Sequence, residues 1–503
     1  MGRAATSRVT RVLGPIARRL AYGVIAIAVT LLAFAFYVAR NGPPLQPWHT
    51  EILTEEFTAG IGDDVRTFDD YRELERRLFA ELDETIIAET GTGPSFALVR
   101  YSRGSLADPA RRDHDWNRSF EFPVENPAGA VLLLHGMSDS PYSLRALGAA
   151  LQRHGHHVLG LRLPGHGTAP SGLTTVTWED MAAAALIGAE HLSAATNGVP
   201  LHIVGYSNGA ALALDYALNA LDGQVSPVPA SLVLISPSIA VSPAAGLARL
   251  KDWLAGIPGL EPLAWTQILP EFDPFRYNSF SSNAAYQVHR LTRSVKRRIE
   301  TRASAGLIAD FPSTLVFLSS VDATVSTTAV VDNLLEHLAS NRHEMVLFDV
   351  NRQDVRSTVM IDDPGPLTAR LMNDGALPFA LTLVANENPG SRLAVARHKP
   401  PYSSESTTEF LGVSWPPSVI SLSHIALPFP PDDPLYGRER PPGSDLVFLG
   451  EFAIEGERGL LLFPADWLIR LRNNPFYAYL ERRTLTWLGD NGVSSTDPAS
   501  SSP

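Results

Sequence analysis

Residues 201–221 read LHIVGYSNGAALALDYALNAL, and the fold of the chain is decided there. Residues 201–204 are a short apolar run of strand character, and residues 210–221 are an alanine- and leucine-rich helix former. The five between them, Gly205-Tyr206-Ser207-Asn208-Gly209, match G-x-S-x-G in a strand-turn-helix setting. A serine on so sharp a turn brings the residues two before and two after it against strand and helix, so a Cβ at Gly205 or Gly209 would clash. Ser207 is thereby lifted out of the sheet as a candidate nucleophile, and the N–H of Asn208 points to where an oxyanion would form. The bland reading of the same residues is an ordinary glycine-flanked turn.

Working outward, residues 130–134 (AVLLL) have the continuous apolar character of a strand buried on both faces of a mostly parallel sheet. They end in HGMSDSP at residues 135–141, and a helix pattern follows over 142–153. Residues 157–163 read as the next strand and close in PGHGT. Two more strands, 231–235 and 314–318, lead into Ser236-Pro237 and into SSVDATV at 319–325. Strands that alternate with helices in this way predict an α/β fold built on a doubly wound, mostly parallel sheet.

The HGMSDSP turn, the RLPGHGTAPSG loop at 162–172, GYSNG and the two later strand ends appear together in one order. In these pieces the chain resembles the α/β-hydrolase superfamily, and its monoacylglycerol lipase and lysophospholipase-like branch in particular. The resemblance runs from residue 130 to about residue 330. It implies an α/β-hydrolase fold, a second oxyanion donor in the N–H of Met137, a helical lid over residues 238–312, and a triad in the chain order Ser, acid, His.

Asp322 directly follows an apolar strand and precedes a helix pattern at 327–340. That places it at a strand's carboxyl end, where the sites of open α/β sheets collect. The family's acid occupies a D-x-x-V pattern, which Asp322 and Val325 reproduce; a helix-capping aspartate is the alternative. Four histidines compete for the third place. His337 falls inside a helix pattern, His343 precedes a strand pattern at 345–350, and His398 lies in a basic, proline-flanked loop. At His424, residues 418–422 read as a strand and SHIALP turns off its end as the family's histidine does, so His424 is selected. Roughly a hundred residues then separate acid and base. A structureless connection of that length is improbable in a compact domain, so the segment at about 345–408, with strand patterns at 345–350 and 380–385, reads as an insertion or sheet extension.

Acyl transfer on this set would have His424 take the Ser207 proton and return it to the leaving group, with Asp322 fixing the imidazole tautomer. No cofactor or metal is required. The chain has no cysteine, hence neither a disulfide nor a thiolate metal site.

Residues 20–39 form a charge-free, predominantly apolar run of membrane-spanning length. Arg3, Arg8, Arg11, Arg18 and Arg19 precede it without an acid, so the positive-inside rule places the amino terminus in the cytoplasm and the remainder across the membrane, on a periplasmic or cell-surface side. A cleaved signal peptide ending near Ala33-Phe34-Ala35 is the competing reading. Counting Arg40, residues 1–40 hold six of the positive charges, which leaves −18 for the remainder against −12 in total. That balance argues against a nucleic-acid partner.

The predicted organisation is an anchor at 1–40, a helical segment with early strands at 41–126, a first half of the core at 127–237, the lid at 238–312, a second half at 313–490 and a serine-rich disordered tail at 491–503. Within these, 69–84 reads as an amphipathic helix, 96–102 and 119–124 as strands, and 246–255 and 284–302 as helices. Trp253, Leu260, Trp265, Ile268 and Phe272 could line an acyl channel or simply pack a small subdomain. The sequon at Asn117 is discounted, and Asp432-Asp433 reads as a turn before a calcium site. The sequence thus predicts a membrane-anchored serine hydrolase of lipid-like carboxylic esters. Its alternatives are a thioesterase, acyltransferase or peptidase on the same triad, or a non-catalytic scaffold.

Overall fold

The computed structural model describes residues 21–492, except 28, 31, 38, 61–64, 240–247, 339–341, 356–357, 359 and 451–471. The arginine-rich tip and the serine-rich tail from residue 493 lie outside the described residues.

The apolar runs become strands β1 (Phe120–Phe122), β2 (Gly129–Leu134), β3 (His156–Leu161), β4 (Leu201–Tyr206) and β5 (Ser231–Ile235). A small antiparallel pair, β6 (Trp265–Gln267) and β7 (Phe280–Ser281), stands apart. Strands β8 (Ser313–Ser319), β9 (His343–Phe348), β10 (Ala380–Asn386), β11 (Leu393–Lys399) and β12 (Thr407–Ser414) complete the main sheet. Among the described residues that sheet has ten strands in the order β1-β3-β2-β4-β5-β8-β9-β10-β11-β12. From β3 through β10 every neighbour is parallel, whereas β1 at one edge and β11 and β12 at the other are antiparallel.

Side chains of a strand alternate between faces, so two cores form. Leu132, Leu134, Ile203, Leu234, Val316 and Leu347 face helices α4 (Trp178–Ala195), α5 (Asn208–Leu221) and α7 (Ser282–Ser304). Val131, Leu133, Val204, Val233, Phe317 and Val346 face helices α3 (Arg145–Arg153) and α9 (Tyr477–Gly492). The sheet is therefore covered on both sides, as a doubly wound fold requires. The amphipathic helix expected at 69–84 is α2 (Phe68–Leu82), started by a capping box between Thr67 and Asp70.

The long apolar run is helix α1 (Ala21–Asn41), with a mean hydropathy of 2.2. Its side chains Val24, Ile25, Ile27, Val29 and Phe34 are exposed. The chain after it is held to the body of the protein: Trp48 stacks on Tyr101 at 5.1 Å, and the His49 ring hydrogen-bonds the Ser279 hydroxyl at 3.0 Å.

Several expected elements take other forms. Residues 96–102 are turns, not a strand, with a 3₁₀ turn at Pro94–Phe96. The helix expected at 327–340 is a short α turn, Thr327–Val330, followed by a π turn, Val331–Leu335. Residues 418–422 form no strand. His398 lies in β11, not in a loop, and His343 opens β9 instead of preceding it. Trp253, on helix α6 (Ala248–Ala255), is 70% exposed and lines no channel, whereas Leu260 and Trp265 are buried. Asn117 is buried and its amide is bonded to Asp115 and to the Pro274 carbonyl.

Candidate active site

Strand β4 ends at Tyr206 and α5 begins at Asn208, which leaves Ser207 alone at the bend with φ 54 and ψ −113. Positive φ is costly for a residue with a Cβ and persists only where the surroundings over-determine it. Here the Ser207 N–H donates to Ile235 O at 2.9 Å, and its carbonyl accepts the Ser238 N–H at 3.1 Å. The glycines make the bend possible. A Cβ at Gly205 would lie 2.4 Å from Ala210 Cα, and one at Gly209 would lie 2.0 Å from the Leu134 carbonyl oxygen.

Three segments converge on the serine. The Ser207 hydroxyl donates to His424 Nε2 at 3.1 Å, and His424 Nδ1–H donates to Asp322 Oδ2 at 2.8 Å. This tautomer follows from the network, since a carboxylate can only accept. Ser207 and His424 are buried, 9% and 6% exposed. Asp322 hangs from the end of β8 and is saturated with donors. Its Oδ1 accepts the N–H groups of Thr324 (2.8 Å) and Val325 (2.9 Å), and Oδ2 also accepts the Ser236 hydroxyl at 2.9 Å. Burial alone would raise its pKa, but His424 and these backbone donors outweigh burial and hold the carboxyl below its ordinary value.

His424 reaches this place by an indirect path. After β9 the chain builds three more strands, then returns along residues 419–423 to the carboxyl ends of β8 and β9. The return is pinned where no ladder holds it: Asn351 bonds the carbonyls of Val419 (2.8 Å) and Ile420 (2.9 Å), and the Ser319 hydroxyl bonds Leu422 O at 2.9 Å. The Tyr206 hydroxyl donates to the carbonyl of His424 itself at 3.3 Å.

The turn after β2 lies against the nucleophile, where a Cβ on Gly136 would stand 3.2 Å from Ser207 Cβ. His135 fixes this turn. Its Nε2 accepts the Leu163 N–H at 3.0 Å and its Nδ1–H donates to Gly136 O at 2.9 Å; burial keeps the ring neutral, well below its usual pKa. Met137 is the next residue, and Asn208, first in α5, has one of the amide N–H groups that no intrahelical carbonyl can reach. The structure thus gathers Ser207, Asp322, His424, Gly205, Gly209, Asn208 and the Met137 turn in one place, and leaves His337, His343 and His398 elsewhere.

Sequence reasoning missed Ser236, Ser238 and the Tyr206 hydroxyl. Ser238 Oγ lies 3.4 Å from Ser207 Oγ. The one signal for them was the Ser-Pro-Ser run at the carboxyl end of β5. A cleft of about 350 Å³ behind Asp322, lined by Ser320, Ser326, Asp362 and Asp363, does not reach Ser207 or His424. Asp433 is a buried structural acceptor for Tyr142 and Arg145. Among the described residues no cluster of His, Asp and Glu has metal-binding size.

Parallel strand order, a strained serine after a central strand and helices on both faces define an α/β-hydrolase fold. Residues 125–352 match the Hydrolase_4 family model, described as serine aminopeptidase, S33. No curated protein matches the chain. Similar solved structures include a soluble variant of monoglyceride lipase from Saccharomyces cerevisiae, at 16% identity and TM-score 0.36, covering 46% of this chain and 82% of that one. Others are the Paleococcus ferrophilus monoacylglycerol lipase (19%, TM-score 0.35, covering 46% and 88%) and a carboxyl esterase from Bacillus coagulans (15%, TM-score 0.34, covering 46% and 84%).

Proposed function

We propose that the protein is a serine hydrolase of carboxylic esters, working through an acyl-enzyme on Ser207, with His424 as general base then acid and Asp322 as the group that orients and stabilises the imidazolium. The observation that carries the proposal is the unbroken chain Ser207 Oγ to His424 Nε2 to Asp322 Oδ2, anchored on a serine at positive φ. The N–H groups of Met137 and Asn208 are assigned to the oxyanion, a contribution of about 3–4 kcal/mol per donor in comparable sites. Lipid-like acyl esters, of monoacylglycerol or lysophospholipid type, are the favoured substrates. The exposed apolar surface of α1 supports this reading. It would tether the enzyme beside its substrate as a single membrane span, with the hydrolase on the extracytoplasmic side.

A fluorophosphonate probe tests the chemistry. It should label full-length protein at Ser207, and Ser207→Ala should abolish both the label and ester turnover. Labelling at another residue, or none on folded protein, refutes the proposal. Aminoacyl and thioester substrates in the same assay separate the peptidase and thioesterase readings.

A further inference from the structure

Arg276 sits over the turn that carries the oxyanion donors. Its neighbours are fixed: the Phe275 ring stacks on Tyr142 at 4.2 Å, and the Tyr277 N–H donates to Ser138 O at 2.8 Å. Both neighbours are buried, whereas Arg276 keeps partial access to solvent. Burial opposes its charge, and Tyr206, Asp139, Tyr436 and Asp273 are the titratable groups near enough to act on it. The bond from Tyr277 to Ser138 sets residue 276 beside the turn after β2, the turn whose Gly136 lies against Ser207.

What distinguishes Arg276 is its lack of a direct partner among the described residues. Other enclosed arginines have direct acceptors: Arg145 pairs with Asp433 at 2.9 Å, Arg162 with Glu56 at 3.0 Å and Arg298 with Asp215 at 2.9 Å, while Arg100 donates to Asn117 Oδ1 and the Asp273 carbonyl. Among the described residues nothing accepts a hydrogen bond from Arg276 or forms an ion pair with it. The nearby carboxylates are engaged elsewhere. Asp273 accepts the Tyr436 hydroxyl at 2.5 Å and the Phe275 N–H at 3.0 Å, and Asp139 accepts the Ser140 N–H at 2.9 Å. Burial pushes Asp139 up to about 7, so it only partly offsets the arginine at neutral pH. Five N–H donors in a planar fork, partly open to solvent and without an acceptor among the described residues, are matched by a ligand that brings one.

We propose that Arg276 recognises an anionic group, a carboxylate or a phosphate, carried by the substrate next to its scissile ester. This deepens the ester-hydrolase reading and rests on it. The geometry suits two parallel N–H···O bonds to two oxygens of one anion, which a neutral ester cannot supply.

The test uses full-length protein in detergent and two pairs of esters matched except for charge. One pair puts the anion on the acyl side, p-nitrophenyl butyrate against mono-p-nitrophenyl glutarate. The other puts it on the alcohol side, 1-butyrylglycerol against 1-butyrylglycerol 3-phosphate. Wild type should prefer the anionic member of one pair, and which pair tells a carboxylate on the acyl side from a phosphate on the alcohol side. Arg276→Gln should lower the anionic-to-neutral ratio of kcat/KM by about ten- to a hundredfold, chiefly through KM, and Arg276→Lys should recover part of it. A wild type indifferent to charge in both pairs, or an Arg276→Gln that leaves the ratio unchanged while turnover falls, overturns the proposal. Fluorophosphonate labelling of wild type at Ser207 is read alongside. If labelling holds while charge preference is absent, Arg276 alone has been misassigned; if labelling fails, the hydrolase reading falls first.

Discussion

Replacing Gly209 with alanine puts a methyl group where the structure has no room for one. The new Cβ would lie 2.0 Å from Leu134 O, 2.5 Å from Leu134 C and 2.6 Å from His135 O, all main-chain atoms. Leu134 ends a strand paired on both sides, with Leu161 of β3 and Gly205 of β4, so its carbonyl has little freedom to retreat. The bend that carries Ser207 must give way instead. A displacement of about 1 Å in a catalytic group can cost on the order of 10²-fold in rate. Stability changes less: overpacking costs about 1–3 kcal/mol, while alanine gains about 1 kcal/mol over glycine inside a helix. Gly489 is the control. It is exposed on α9, and a methyl group added there would meet nothing within 4 Å, so Gly489→Ala should gain up to about 1 kcal/mol and keep full turnover. Urea unfolding followed by circular dichroism, with hydrolysis of a p-nitrophenyl ester, reads both quantities. A Gly209→Ala enzyme with wild-type kcat would show that the close packing of the bend does not position the nucleophile.

Three further outcomes are expected. His424→Ala should remove nearly all turnover, whereas His398→Ala, which loses only a bond to Thr382 between β10 and β11, should keep most of it; the reverse pattern would move the base elsewhere. His202 is buried on β4, and burial lowers its pKa to about 3, so its ring stays neutral in the fold while it takes up a proton on unfolding below about pH 6.5. The stabilisation from the neutral ring is complete above that pH and is lost as pH falls toward 3, so the stability of wild type relative to His202→Gln should decline by about 1.4 kcal/mol per pH unit in that window; parallel profiles would refute it. Deleting residues 1–40 should release a soluble enzyme that retains activity on short esters and loses more on long-chain lipid in vesicles. Equal loss on both would make α1 part of the fold rather than a tether.

The core was legible because burial on two faces writes itself into a strand as an apolar run, uninterrupted in β2, β5 and β8 and broken only by His202 in β4. Ser207 and Asp322 follow directly on such runs. His424 is selected through an expected strand at 418–422, but Ser418 turns at φ 67 and the residues after it are held by Asn351 and Ser319, partners distant in sequence that no local pattern reveals. Residues 96–102 open on an apolar run as a strand would, yet their donors make turns and a distant contact instead of a ladder: the Ser102 N–H bonds Val99 O, and the Arg100 N–H bonds Glu271 O. His398 reads as loop because two prolines follow closely; the residue before a proline favours extended backbone, so Lys399 stays in β11, and the prolines end the strand because they have no N–H for its ladder. Arg276 gave no periodic signal, because its place is set by Tyr142 and Ser138, far away in the chain.

The detour between acid and base has a consequence for how the enzyme comes into being. A chain built as far as β9 already holds the nucleophile and its carboxylate, yet it has no imidazole to take the serine's proton. That group arrives only after β10, β11 and β12 have added to the sheet edge and the chain has doubled back. On the proposed triad, turnover therefore requires the C-terminal half to be closed, because His424 meets Ser207 only where the returning chain is moored. The same detour isolates the site from its edge: strands can lengthen or vary beyond β10 without disturbing the reacting atoms, provided the Asn351 and Ser319 moorings still catch the returning chain.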